Sequence, residues 1–164
     1  MLKRHLSNII CLLSFMSALL ISSQGLAADP QGPKVDFFKG YLINEDNGKM
    51  SKDVATQSDQ IEANGPNGTG TQMIVDVWVK GGKNQLYENA PFLYITVTGM
   101  DWKQGDPPMV DIGFPINYIG ATGQTVRTLV VDHNCNGFTI EAYTMIGDKR
   151  VSELTKTFNI TCGD

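Results

Sequence analysis

Histidine is nearly absent from this chain. Two occur in 164 residues, and His5 precedes an apolar run at the start, which leaves His133 as the one histidine of the remainder. Nucleophilic catalysis needs a base beside the nucleophile, and one histidine gives few ways to build that pair. No GxSxG elbow and no HExxH zinc motif occurs. Cysteine is scarce too: Cys11 lies inside the apolar run, and Cys135 and Cys162 lack the CxxC spacing of a redox or metal pair. No stretch keeps a convincing helical period, and no internal repeat is visible.

Basic charge is also thin. The chain has 13 Lys and Arg against 17 Asp and Glu, with no basic cluster. That balance argues against nucleic acid or an anionic membrane as partner. An oxygen-rich stretch, Asn44-Glu45-Asp46-Asn47-Gly48, fails as a calcium loop. An EF-hand starting at Asn44 needs glycine sixth and glutamate twelfth, where Lys49 and Ala55 stand. Nothing singles out two of the carboxylates as a glycosidase pair. The expectation is a protein without metal, cofactor or catalytic residues, and not an enzyme.

The N-terminus is organised differently from the rest. Lys3, Arg4 and His5 precede an apolar run from Ile9 to Ile21, and small and polar residues follow as far as Ala28. This is the layout of a secretory signal peptide, expected to span residues 1–28 with cleavage after Ala28, or one residue earlier. The run is too short for a membrane anchor, which needs about 20 apolar residues. Residues 29–164 are then expected to form a single exported domain, secreted or periplasmic, with no membrane contact after signal removal. Losing Lys3 and Arg4 from the 13 basic residues, against 17 acidic ones, leaves a net charge of −6.

Beyond the signal the chain reads as strands divided by Gly, Pro and Asn turns. Strands are expected at Val35–Asn44, around Gln57–Ala63, and at Thr71–Lys80, Pro91–Thr98, Met109–Phe114 and Gln124–Asp132. Gly40 implies a bulge or a close backbone approach. Thr71–Lys80 is the clearest strand: Met73, Val75, Val77 and Val79 share one face, Ile74, Asp76, Trp78 and Lys80 the other. From Cys135 to Cys162 the chain reads as two strands folded back on each other. Around a four-residue loop, Gly147 to Arg150, Ile146 faces Val151, and an unbroken register brings Cys135 opposite Cys162. Oxidation after export makes a disulfide the expected role of this pair, stabilising by roughly 3 kcal/mol in the chain-entropy model. About seven short strands and no helix predict an all-β, antiparallel β-sandwich.

This strand order resembles fibronectin type III and immunoglobulin-like domains. Trp78 is similar to their strand-B tryptophan, and Phe138-Thr139-Ile140-Glu141-Ala142-Tyr143 followed by Gly147 resembles their strand F and the loop after it. Three departures stand out. The Trp78 strand has no cysteine, His133 holds the place of a corner tyrosine, and a core Trp78 would draw Asp76 inward. Among exported bacterial proteins the plan is similar to the interleukin receptor mimic protein A family. That resemblance implies protein binding outside the cell, host cytokines among the partners, and a homodimer as a compatible state.

The residues left for such contact are aromatic or at a turn. Met100 and Trp102 fall in a loop, Tyr118 in a Gly/Pro-punctuated segment, and Lys149 and Arg150 at the hairpin tip. Trp78 joins them if the valine face is the core; burial under residues 45–70 is the alternative. His133 is expected at the surface, at a strand end. The expected function is an exported non-enzymatic protein-binding module. The rival is a periplasmic inhibitor or immunity protein that blocks an enzyme with an acidic loop, Glu45–Asp53 or Gln57–Glu62.

Overall fold

The computed structural model describes residues 32–44, 47–57, 60–63, 71–133 and 135–162. The expected signal peptide, residues 1–28, and the Asn/Gly turns of 64–70 lie outside the described residues. Eleven strands occur within them: β1 (Lys34–Leu42), β2 (Ile61–Glu62), β3 (Gln72–Lys80), β4 (Gln85–Leu86), β5 (Phe92–Gly99), β6 (Val110–Pro115), β7 (Tyr118–Ile119), β8 (Gln124–Asp132), β9 (Phe138–Ile146), β10 (Lys149–Phe158) and β11 (Ile160–Thr161). Seven are long. The other four, two residues each, take the count above the seven expected, and of the strand expected around Gln57–Ala63 only Ile61–Glu62 is regular.

The long strands form two antiparallel sheets, in the orders β1-β3-β8 and β10-β9-β5-β6. Their inner faces follow from period-two alternation. Met73, Val75, Val77 and Val79 of β3 are fully buried, as are Leu93, Ile95 and Val97 of β5 and Ile140 and Ala142 of β9. These side chains belong to one apolar cluster, so the two sheets pack face to face as a β-sandwich. Burying each such side chain contributes about 1.5–3 kcal/mol. Polar links stitch the edges: the Thr144 hydroxyl donates to the Pro33 carbonyl at 2.7 Å, and the Val35 N–H to the Ser152 hydroxyl at 3.1 Å.

Three local features depart from simple alternation. The β1–β3 register slips between Val35 and Phe37, leaving Asp36 unpaired. Val35 and Phe38 therefore both face the core, although three positions apart. Gly40 makes a close approach and not a bulge: a Cβ there would collide with the Met73 methyl and come within 2.8 Å of Phe158 Cε1. The β9–β10 hairpin also differs from the expected four-residue loop. Ile146 faces Lys149, so the loop is Gly147-Asp148. Only Gly147 of these two has positive φ, at 57°, the pattern of a type II′ turn whose twist suits a hairpin. A bulge at Val151, between Arg150 and Ser152, then shifts the register by one.

The short strands close the two ends. β11 pairs in parallel with β2, Ile160 opposite Ile61, and ties the chain terminus to the segment after β1. At the other end β4 pairs with β7, Leu86 opposite Tyr118. No helix among the described residues is long and apolar enough to cross a membrane.

Candidate functional site

The cysteine pair is where the sequence places it. Cys135 and Cys162 are bonded, with Cα atoms 5.1 Å apart and a separation of 27 in sequence. The register leading there is broken by the Val151 bulge, and the bond is reached after the β9–β10 ladder ends at Phe138 opposite Phe158. Cys135 adopts φ of 62°, a left-handed turn that swings its side chain toward Cys162.

His133 corrects an expectation. It is 2% exposed, not a surface residue. Its N–H donates to the Thr71 carbonyl at 2.8 Å, so strand-like pairing runs one residue past β8 and alternation turns the imidazole inward beside buried Val131. Its Nδ1 accepts the Cys135 N–H at 3.2 Å. The histidine braces the clasp.

Met100 and Trp102 lie at this same end and are exposed, with Met109 beside them, at 56%, 41% and 43%. The loop that carries them is braced. Met100 N–H donates to the Gly137 carbonyl at 3.1 Å, Trp102 N–H to that of Gly99 at 3.1 Å, and the Trp102 indole N–H to that of Asp106 at 2.9 Å. Large apolar groups held rigid in solvent are the kind of contact that interfaces favour.

Tyr118 sits at the opposite end. In the β4–β7 pair, Gln85 and Ile119 point inward while Leu86 and Tyr118 point outward, 72% and 53% exposed. The Tyr118 hydroxyl donates to Asn84 Oδ1 at 3.1 Å, and Asn84 N–H to the Gly120 carbonyl at 3.0 Å. Leu86 escaped the sequence reading because two-residue strands leave no period to read. The structure thus separates the candidates: Met100 and Trp102 at one end, Tyr118 and the hairpin tip at the other.

Lys149 is exposed at the hairpin turn, whereas Arg150 belongs to the outer face of the four-stranded sheet. Its guanidinium lies 3.6 Å from the Tyr143 ring centroid and bridges Glu141 at 2.9 Å and Glu153 at 2.6 Å. The hydrogen bond it donates to Glu153 raises its pKa above the ordinary arginine value. Desolvation opposes the rise; Tyr143 and Glu141 add to it. Tyr143 stacks on Tyr94 at 5.3 Å, and Tyr94 on Phe92 at 5.9 Å. This ladder of Arg150, Tyr143, Tyr94 and Phe92 was missed from sequence, although Phe92 and Tyr94 share a face in PFLYITVT and Tyr143 lies on the face opposite Ile140 and Ala142 in FTIEAYTM.

Trp78 is on the outer face of the three-stranded sheet, opposite the valines, and not in the core. Its half-buried ring stacks on Phe37 at 5.4 Å, the cross-strand partner, with Lys39 Nζ 5.3 Å from its centroid. The indole N–H is shielded from solvent and meets no acceptor among the described residues. The β1 slip at Asp36 places Phe37 there, which explains why sequence did not supply the partner.

No protein-family model and no curated protein matches the chain. Among solved structures it is similar to the crystal structure of a "putative beta-galactosidase" from Bacteroides fragilis, at a TM-score of 0.40 and 11% identity over 74% of this chain. The chain spans 16% of that protein's length. A likeness at this level says nothing of the chemistry of this chain.

Proposed function

We propose that the protein is an exported, non-enzymatic binding module of fibronectin type III-like plan, a receptor-like mimic whose partners are host proteins such as cytokines. One observation carries the reading: rigid frames hold large apolar side chains in solvent at both ends of the sandwich, Met100 and Trp102 at one and Leu86 and Tyr118 at the other. The three-on-four strand order and the disulfide clasp support the plan, since a stapled scaffold suits an oxidising compartment. Export rests on residues 1–28, with cleavage after Ala28. The inhibitor alternative has less support. The Asp53 carboxylate, from its proposed acidic loop, accepts the Gly40 and Ala55 N–H groups at 3.0 and 2.9 Å and so holds the fold.

Surface plasmon resonance with the mature chain against a panel of cytokines and cytokine-receptor ectodomains tests the proposal. Saturable binding that weakens about tenfold on Trp102→Ala or on Leu86→Ser is expected, the size of an interface hot spot. A panel that binds nothing, with the protein recovered only from periplasm, would sink it.

A further inference from the structure

Three stretches of chain meet at Gly137. A Cβ on this residue would stand 2.6 Å from the Phe158 carbonyl oxygen, 3.0 Å from Met100 Cγ and 3.3 Å from Ile160 N, so the meeting requires glycine. The Gly137 carbonyl also accepts the Met100 N–H at 3.1 Å. One groove opens between Met100, Gly137 and residues 159–161; a second opens between the Trp102 loop and His133, Asn136 and Gly137. The exposed Met100 and Trp102 are thus seated against the two arms that run to the cysteines.

The β9–β10 ladder stops at Phe138 opposite Phe158, and beyond it the bond between Cys135 and Cys162 joins these arms. The arm to Cys162 contains β11, where the Asn159 and Thr161 carbonyls accept the Ile61 and Ala63 N–H groups at 2.7 and 2.8 Å. The arm to Cys135 is under strain. Cys135 stands at φ of 62°, in the left-handed region that residues with a Cβ avoid. Two hydrogen bonds oppose its release: Cys135 N–H donates to His133 Nδ1 at 3.2 Å, and Asn136 N–H to the His133 carbonyl at 2.7 Å. Both lie inside the turn, and the disulfide is what fastens the turn to the other arm. Both cysteines are half-buried, which leaves them within reach of a small thiol.

We infer that the Cys135–Cys162 bond is a redox switch for the Met100/Trp102 end of the sandwich. A dithiol is the reductant. Its thiolate attacks one cysteine sulfur and forms a mixed disulfide, and the other cysteine leaves as thiolate. The second thiol of the donor then closes the donor's own disulfide, so the protein gains two electrons and two protons and the donor loses them. Freed from the bond, Cys135 leaves the left-handed region. Gly137 moves with it, and Met100 loses both its hydrogen bond and its wall. The β4–β7 pair with Leu86 and Tyr118, at the opposite end, does not respond. The consequence for binding rests on the proposed role of Met100 and Trp102 as contacts; the response to reduction does not.

Amide hydrogen exchange followed by NMR on the mature chain, with and without dithiothreitol, tests the switch without a partner, so its failure is separate from that of the binding proposal. On reduction the Met100 N–H is expected to exchange at least about tenfold faster, while the Tyr87 N–H, bonded to the Asn117 carbonyl beside β4, changes less than about twofold. Cys135→Ser/Cys162→Ser should match the reduced parent and ignore dithiothreitol. Cys135→Gly/Cys162→Ser puts at position 135 a residue at ease in the left-handed region, and Met100 should stay within about threefold of the oxidised parent although no bond is present. Far-UV circular dichroism checks that each form is folded. Unchanged exchange at Met100 on reduction overturns the inference. Equal acceleration at Met100 and Tyr87, or loss of the strand spectrum on reduction, makes the bond a staple of the whole fold and overturns it as well. So does a glycine variant that exchanges as fast as the serine one.

Discussion

Removing the clasp by the double substitution Cys135→Ser/Cys162→Ser should leave the fold intact and its stability sharply lower. The bond closes a loop between residues 27 apart. In the chain-entropy model, opening a loop of that length releases enough denatured-state freedom to cost about 3–4 kcal/mol. The native state can stand without it. β9 is held on one side by β5, from Phe92 opposite Met145 to Gly99 opposite Phe138, and on the other by β10 down to Phe158. Phe138 and Phe158 are fully buried and pack 5.1 Å apart just inside the clasp. Far-UV circular dichroism of the variant should therefore match the parent. Its urea midpoint should fall by about 1–3 M, given m-values of about 1–3 kcal/mol/M. A midpoint shift below about 0.3 M would refute the clasp argument, and so would two alkylated thiols in the unreduced parent by intact mass.

Further expectations follow from the core and the outer faces. Ile95→Ala, at a fully buried site in β5, should cost about 2–5 kcal/mol by urea denaturation. Gly40→Ala places a methyl against Met73 and Phe158 and should cost about 1–3 kcal/mol; an unchanged midpoint would show that β1 moves aside. Arg150→Lys keeps the charge but loses the planar stack on Tyr143 and the paired carboxylates, and a double-mutant cycle with Tyr143→Leu should give about 0.5–1 kcal/mol of coupling. Trp102 and Trp78 should separate in acrylamide quenching: Trp102→Phe removes the accessible fraction of the fluorescence, whereas Trp78→Phe leaves it. Equal loss from both would contradict the shielded stack on Phe37.

Much of the scaffold was legible where alternation is long and regular. Gln124–Asp132 was bounded to the residue, and the valines of β3 were set together on one face, because a nine-residue strand shows its period over four repeats; that this face is the core needed the second sheet. The cysteine pairing was right for a reason that needed amending. Hairpin and bulge contribute separate register shifts, and neither Gly147-Asp148 nor Val151 announces which shift occurs. His133 was misplaced because the expectation ended the strand at Asp132; one more paired residue reverses its side. Among the exposed apolar groups, Met100, Trp102 and Tyr118 were legible as large groups in turn-rich segments, and Leu86 was not.

The sequence by itself determined that the chain is an antiparallel all-β domain with a disulfide, and that Met73, Val75, Val77 and Val79 share one face of β3. Those properties depend on neighbours two positions apart and on one pair of cysteines, so they are local or nearly so. Only the tertiary structure decided the strand order, the stacking of Trp78 on Phe37, the seating of Arg150 against Tyr143 and the inward turn of His133. It also decided which strands would be left at the edges of the two sheets. An edge is defined by the absence of a neighbour, and that depends on where every other strand has gone.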